Sequence, residues 1–214
     1  MAQSFGERIT PYLTIWTEPH ATIRRIVETD PERNVKALAA LSPALAVLER
    51  EWMTALEGPM SAIWPIRVLF EVVIVALFGI AFLYIDALFI TWIARALGGT
   101  GGPRETRTAL AWGKIPAITA SAASILALLS GAMAPPEIGI NGLPKMTPPT
   151  FEFGGMHTVL GLWGFIVVLK GIGEVHQISA WRALLAELIV LIAFALVITG
   201  MLLALYALMH GAHR

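Results

Sequence analysis

Three carboxylates stand inside long apolar stretches of this 214-residue sequence: Glu71, Asp86 and Glu187. An ionisable side chain within a membrane segment is costly to bury in lipid, so its presence there predicts a functional role. Glu71 and Asp86 are fifteen residues apart, which is about 22 Å of helix rise, so these two cannot form a single acid pair. We expect Asp86 and Glu187 to share a depth and to line a polar cavity that opens to the cytoplasm.

Polar residues of the turn before the last apolar stretch are predicted to join this cavity: Glu174, His176 and Arg182. Protons, ions or a lipid headgroup are its candidate ligands. The alternative is structural, because a charge within a span needs a partner whatever its task. Under that alternative, Asp86 or Glu187 forms a salt bridge with Lys170, Arg95 or Arg182 and holds helices together.

A glycine-rich basic loop is the second candidate site. It contains Gly98, Gly99, Gly101 and Gly102, and Arg104 and Arg107 follow in the first turns of the next helix. Free N–H groups at a helix N-terminus bind anions, and arginine adds bidentate contacts to phosphate. A lipid headgroup is the predicted ligand. The alternative is a flexible turn whose basic residues only orient the chain in the membrane.

Other chemistries find little support in the sequence. The absence of cysteine excludes disulfides, thiolate metal sites and cysteine catalysis. His210 and His213 are three residues apart, but no carboxylate lies near them to complete a metal site. No serine stands in a nucleophile motif, and a net charge of zero argues against a nucleic-acid partner. No catalytic residue, metal or cofactor is predicted.

The composition is typical of a membrane protein. Hydrophobic residues make up 57% of the chain and charged residues 14%, with a mean hydropathy of +0.72, whereas soluble domains carry about 25% charged residues. We therefore predict an all-α integral membrane protein with five transmembrane helices in a single bundle. The predicted spans are about 35–56, 65–94, 108–133, 155–173 and 180–209, within a membrane domain of residues 35–210.

Residues 1–34 are predicted to form a cytoplasmic amphipathic segment. Its helices lie in the membrane interface or, alternatively, pack on the bundle as a flap. The first predicted span has the weakest support from the sequence. Only Ala37–Leu48 is free of charge, whereas a span needs about 20 apolar residues.

The distribution of basic residues supports the first span nevertheless. With five spans, eleven of the fifteen basic residues lie on one side of the membrane, whereas without the first span the split is six to nine. Basic residues are enriched in cytoplasmic loops. We therefore predict a multi-pass protein of the cell inner (plasma) membrane, with its N-terminus cytoplasmic and its C-terminus outside.

Three stretches carry a family resemblance. The loop L-G-G-T-G-G-P-R from Leu97 continues to W-G-K-I-P at Pro116, and the stretches Trp16–Ile26 and Gly171–Ala183 flank the first and last spans. Together they resemble the YIP domain family, the Ypt/Rab-interacting integral membrane proteins, in its G-G-K-x-x-F and Y-x-x-x-P region and two flanking elements. Thr100 stands at the lysine position of that motif, and Trp112 stands where tyrosine is common. The alanine-rich composition indicates a bacterial-type member.

The resemblance implies a five-span, non-enzymatic membrane protein that organises membrane or partner proteins. Its implied partners are the lipid bilayer, anionic lipid headgroups and another membrane protein or a second copy of the chain. The Rab partners of eukaryotic members are not carried over. The membrane carboxylates support an alternative function, a small carrier or lipid-moving protein that uses the cavity around Asp86 and Glu187.

Overall fold

The computed structural model describes residues 5–57, 61–130 and 148–211. Every regular element in these ranges is an α-helix. The helices are α1 Phe5–Thr14, α2 Pro19–Thr29, α3 Val35–Glu57, α4 Trp64–Ala96, α5 Pro103–Trp112, α6 Ile115–Leu129, α7 Pro148–His176 and α8 Ala180–Gly211.

Four helical stretches in the described ranges are long and apolar enough to cross a membrane: Trp64–Ala96, Pro103–Leu129, Gly154–His176 and Ala180–Met209. They confirm the all-α membrane class predicted from composition. Helix α3 is not among them, and it carries Lys36, Glu49, Arg50 and Glu51 within its length.

The third predicted span consists of two helices rather than one. α5 begins at Pro103, five residues before the predicted start, because proline is favourable in the first turn of a helix. α5 ends at Trp112 and α6 begins at Ile115. Pro116 has no N–H to donate to the carbonyl of Trp112, so the ladder of helical hydrogen bonds breaks there. The break places Lys114 at the junction of the two helices.

α3 and α4 form an antiparallel hairpin. Near the turn, Arg67 of α4 pairs with Glu51 of α3. Further along, a Cβ atom on Gly79 would lie 2.5 Å from the carbonyl oxygen of Ala39 and 2.7 Å from Cγ of Pro43. The two backbones therefore touch at Gly79, and the start of α3 lies level with the stretch of α4 near Asp86.

Burial is concentrated at the end of the bundle where α1, α2 and α5 pack. The largest fully buried side chains there are Trp112, Ile15, Ile23, Ile26, Ile90 and Ile172. By contrast, every residue from Ala195 to Met209 of α8 is exposed. A helix that is apolar on all sides and unburied by protein is stable only in lipid, so the other end of the bundle is the part most surrounded by bilayer.

We expect Gly79→Ala to destabilise the α3–α4 hairpin by about 1–3 kcal/mol, because the added methyl group overlaps the Ala39 backbone. Thermal unfolding in mild detergent measures the effect. Gly161→Ala is the matched control, since no atom lies within 4 Å of a Cβ added to that helical glycine. Equal melting temperatures for the two variants would contradict the close packing of α3 on α4.

Candidate functional site

The glycine-rich loop closes over the C-terminal end of α7. Gly98 adopts the left-handed conformation with φ of 94°, which turns the chain out of α4. The N–H of Thr100 then donates to the carbonyl of His176 at 3.0 Å. A Cβ atom on Gly101 would lie 2.5 Å from the carbonyl oxygen of Val175. Close contact with α7 explains these two glycines without any ligand.

A chain of buried polar side chains lies beneath this loop. His176 is fully buried, and its Nε2 atom lies 2.9 Å from Oγ1 of Thr106. The same hydroxyl lies 2.8 Å from Oγ1 of Thr91 and donates its proton to the carbonyl of Gly102 at 2.9 Å. A hydroxyl has a single proton to give. Thr106 therefore accepts from both neighbours, and His176 carries a proton on Nε2.

This chain links α4, α5 and α7, and the sequence reasoning missed two of its three members. Thr91 and Thr106 are both buried. Thr91 could have been found from the sequence, because it is a lone hydroxyl in the apolar run of α4. A polar group in such a run needs a partner on a facing helix. Nδ1 of His176 is also buried and has no hydrogen-bond partner in the described part of the chain.

The two arginines predicted to bind a headgroup pair within the protein. Glu32 lies 2.8 Å from Arg107 and 3.6 Å from Arg104. The guanidinium of Arg107 also lies 4.4 Å from the ring centroid of Tyr84. A phosphate at this position has to compete with the Glu32 carboxylate. The headgroup role of Arg104, Arg107 and the glycine-rich loop stays a prediction.

The connector between α2 and α3 is anchored on α5. The Thr108 hydroxyl donates to the carbonyl of Pro31, and Nε1 of Trp112 donates to the carbonyl of Arg33 at 3.0 Å. The ring of Tyr12 in α1 lies 4.8 Å from that of Trp112. α1 and the connector are thus attached to the third predicted span.

α2 is attached to α7 through Glu174. Nε of Arg24 donates to this carboxylate at 2.6 Å, and Nδ1 of His20 lies 3.4 Å from it. The hydrogen bond and the charge of Glu174 raise the pKa of Arg24 above its ordinary value. Ile23 and Ile26 of α2 are buried in the same core as Ile172. α2 therefore packs on the bundle, and its placement in the membrane interface stays a prediction.

The two carboxylates predicted to share a depth lie within electrostatic range of each other. Asp86 and Glu187 interact electrostatically with each other, and Lys114 interacts with both. All three residues are partly buried. Oε1 of Glu187 is buried without a hydrogen-bond partner among the described residues. Lys114 is the cation that the sequence reasoning missed here, because its position depends on the break between α5 and α6.

The other predicted members of the polar cavity have different partners. Glu174 contacts α2, and His176 belongs to the buried hydroxyl chain. Nη1 of Arg182 donates to the carbonyl of Leu97 at 3.4 Å. The five predicted residues thus divide between the carboxylate pair and the contacts around the glycine-rich loop. Their role in a cavity stays a prediction.

A second charged cluster lies at the turn between α3 and α4. Two arginines, Arg50 and Arg67, each pair with both Glu51 and Glu71. Glu51 is 4% exposed, and burial of a charge is tolerated when oppositely charged partners surround it. Arg50 and Glu51 of α3 thus have oppositely charged partners on α4.

The described residues offer no group of three or more His, Cys, Asp or Glu side chains that could hold a metal ion. Open grooves lie between or along the described helices, and three of them are lined by described residues. One of about 420 Å³ is bordered by α3, α4 and Lys114, and two of about 430 Å³ lie along α4 and beside α7. Their linings are largely apolar, as is typical of surfaces that face lipid.

We expect Thr106→Val to destabilise the protein by about 1–3 kcal/mol, because it removes the only recorded partner of the His176 Nε2 atom. Thermal unfolding and the protease sensitivity of the glycine-rich loop measure the effect. Thr119→Val is the control, since that exposed hydroxyl bonds only to the carbonyl of Ile115 in its own helix. Unchanged stability of the Thr106 variant would show that the buried chain is not structural.

Comparison with known proteins identifies the chain by family. The profile of the Yip1 domain matches residues 13–208, which is nearly the whole chain. No curated protein and no solved structure matches it. The matched range includes α2, the glycine-rich loop and all four of the membrane-crossing stretches. The chain is therefore a multi-pass membrane protein that belongs to the Yip1 domain family.

Proposed function

We propose that this protein is a non-enzymatic organiser that acts through contacts with other membrane proteins, or with a second copy of itself, inside the bilayer. The supporting observation is the apolar exterior of α4 and α8. Large side chains such as Phe70 and Leu203 are 68% and 63% exposed. At the opposite end, His176, Arg107 and Glu174 are engaged by partners within the chain. Lateral contact is thus the interaction that the surface favours.

We further propose that α3 crosses the membrane as a fifth span. Its charge-free stretch of residues 37–48 is two residues shorter than that of α4, residues 72–85. The two stretches cover about 18–21 Å of helix rise. At both ends of each stretch, charged side chains that extend toward the membrane surface lengthen the span toward the hydrocarbon thickness of about 30 Å. α3 is therefore nearly as long in lipid as its neighbour α4.

Contacts between the helices support a common depth for α3, α4 and α7. At one end, Glu49 of α3 lies 3.2 Å from His157 of α7, and Glu51 pairs with Arg67 of α4. At the other end, Lys114 interacts with Asp86, level with the start of α3. The charged residues thus bound one apolar layer at both of its faces.

The same register supports a cytoplasmic N-terminus and an outer C-terminus. α2 contacts the end of α7 that carries Glu174, next to the glycine-rich loop. That loop and its flanks hold Arg95, Arg104 and Lys114, and basic residues favour the cytoplasmic side. In the proposed orientation, the protein lies in the cell inner membrane with the turn between α3 and α4 outside.

Because the chain lacks cysteine, single cysteines test this topology directly. In sealed right-side-out vesicles, we expect an impermeant maleimide to label Ser61→Cys at once. Thr29→Cys and Thr100→Cys are expected to react only after permeabilisation, since α3 separates Thr29 from Ser61 and α4 separates Thr100 from it. All three positions are exposed. Labelling of Thr29→Cys and Ser61→Cys from the same side would show that α3 does not cross.

A carrier of protons, ions or lipid is the second candidate function. The meeting of Asp86, Glu187 and Lys114 favours it, because three ionisable groups from separate helices converge in a partly buried place. The buried Oε1 atom of Glu187, which has no hydrogen-bond partner among the described residues, leaves an acceptor available.

The double substitution Asp86→Asn and Glu187→Gln separates the two functions. The organiser proposal predicts no lipid or proton flux above that of protein-free vesicles. It also predicts that a photo-crosslinker at Phe70 gives the same discrete membrane-protein adduct in the parent chain and in the double variant. Flux that the double variant abolishes, and that the exposed control Glu28→Gln retains, would support the carrier. Absence of any discrete adduct would overturn the organiser.

A further inference from the structure

α4 and α8 are longer than the bilayer requires. α4 has 33 residues and α8 has 32, or nearly 50 Å each at about 1.5 Å per residue. Residues 64–86 of α4 alone span about 33 Å, enough for the hydrocarbon layer. The ten residues of α4 beyond Asp86, and the first turns of α8 that lie antiparallel to them, therefore extend into the headgroup layer.

This extension keeps an apolar stripe on α4. Ile85, Leu88, Phe89 and Trp92 line an open groove of about 430 Å³. They recur at the three- and four-residue spacing of one helix face. Trp92 is 73% exposed, and Trp181 at the start of α8 is 80% exposed. Tryptophan is enriched where the hydrocarbon meets the headgroups, so the groove runs inward from the headgroup layer.

Two arginines lie just beyond these tryptophans. Arg95 follows Trp92 on the same helix face, and Arg182 follows Trp181 directly. Nε of Arg95 donates to the carbonyl of Gly101 at 3.0 Å, and Nη1 of Arg182 donates to the carbonyl of Leu97 at 3.4 Å. These two bonds hold both guanidinium groups against the glycine-rich loop. Each group is exposed and keeps further N–H donors, because guanidinium has five.

No salt bridge is recorded for either arginine within the described residues. Arg107, by contrast, is paired with Glu32. Glu105, in the first turn of α5, is engaged by the loop instead, because its Oε2 atom accepts a hydrogen bond from the N–H of Gly102 at 3.1 Å. Arg95 and Arg182 are therefore better placed than Arg104 and Arg107 to receive an anion from outside the chain.

We infer that Arg95 and Arg182 bind the headgroup phosphate of an anionic phospholipid whose acyl chain lies in the α4 groove. Arginine donates bidentately to phosphate, and the apolar stripe begins one helical turn from Arg95. The glycine-rich loop contributes by positioning both arginines rather than by cradling the phosphate. The inference requires the chain to lie in a bilayer, but it is independent of the organising role and of the number of spans.

A fluorophore on Leu88→Cys tests this site, since the chain has no other cysteine. The protein is reconstituted in phosphatidylcholine vesicles that contain nitroxide-labelled phosphatidylglycerol or nitroxide-labelled phosphatidylcholine. We expect the phosphatidylglycerol probe to quench at a lower mole fraction. Arg95→Gln with Arg182→Gln is expected to weaken that preference by about thirty-fold at low salt, given the usual contribution of a basic residue near an anionic surface.

Arg25→Gln with Lys36→Gln is the matched control, because it removes two exposed basic residues outside the glycine-rich loop and its flanking helices. An equal loss of preference in this control would overturn the site in favour of a general charge effect. Equal quenching by both lipids in the parent chain would also overturn it, and that measurement does not depend on how the variants fold. Quenching by neither lipid, with disulfide crosslinking between Leu88→Cys copies, would show that a second copy covers the groove.

Discussion

Burial of the His176 imidazole with the hydroxyls of Thr106 and Thr91 is the contact on which one end of the bundle depends. Each of these groups is costly to bury alone, and each satisfies another. Their contact requires α4, α5 and α7 to meet at one point. It also requires the loop between α4 and α5 to pass close to the α7 backbone, which only a glycine permits at Gly101. The first role of the glycine-rich loop is therefore to pack closely against α7.

The second constraint is the thickness of the bilayer, which orders the charged residues along the bundle. Arg50, Glu51, Arg67 and Glu71 pair at one end, and Asp86, Lys114 and Glu187 converge toward the other. Between these clusters the neighbouring helices are free of charge over similar lengths. The charges at the C-terminal end of α3 have oppositely charged partners on α4, which makes their burial tolerable.

Much of the fold was predictable because apolar length and turn residues are local properties of the sequence. The long helices around α4, α7 and α8 follow from uninterrupted apolar stretches, and the shared depth of Asp86 and Glu187 follows from helix rise. The break between α5 and α6 was missed, although Pro116 marks it, because apolar character continues through the break. Residues 131–147, which include the end of the third predicted span, lie outside the described residues.

The sequence by itself determined that this chain is an all-helical membrane protein and where charged residues interrupt its apolar stretches. These properties depend on composition and on rise along a single helix. Only the tertiary structure decided which groups meet, because the direction in which each side chain points around its helix depends on how the helices pack. It paired Arg107 with Glu32 and His176 with Thr106, and it brought Lys114 within electrostatic range of two carboxylates, across distances in sequence that no local pattern reveals.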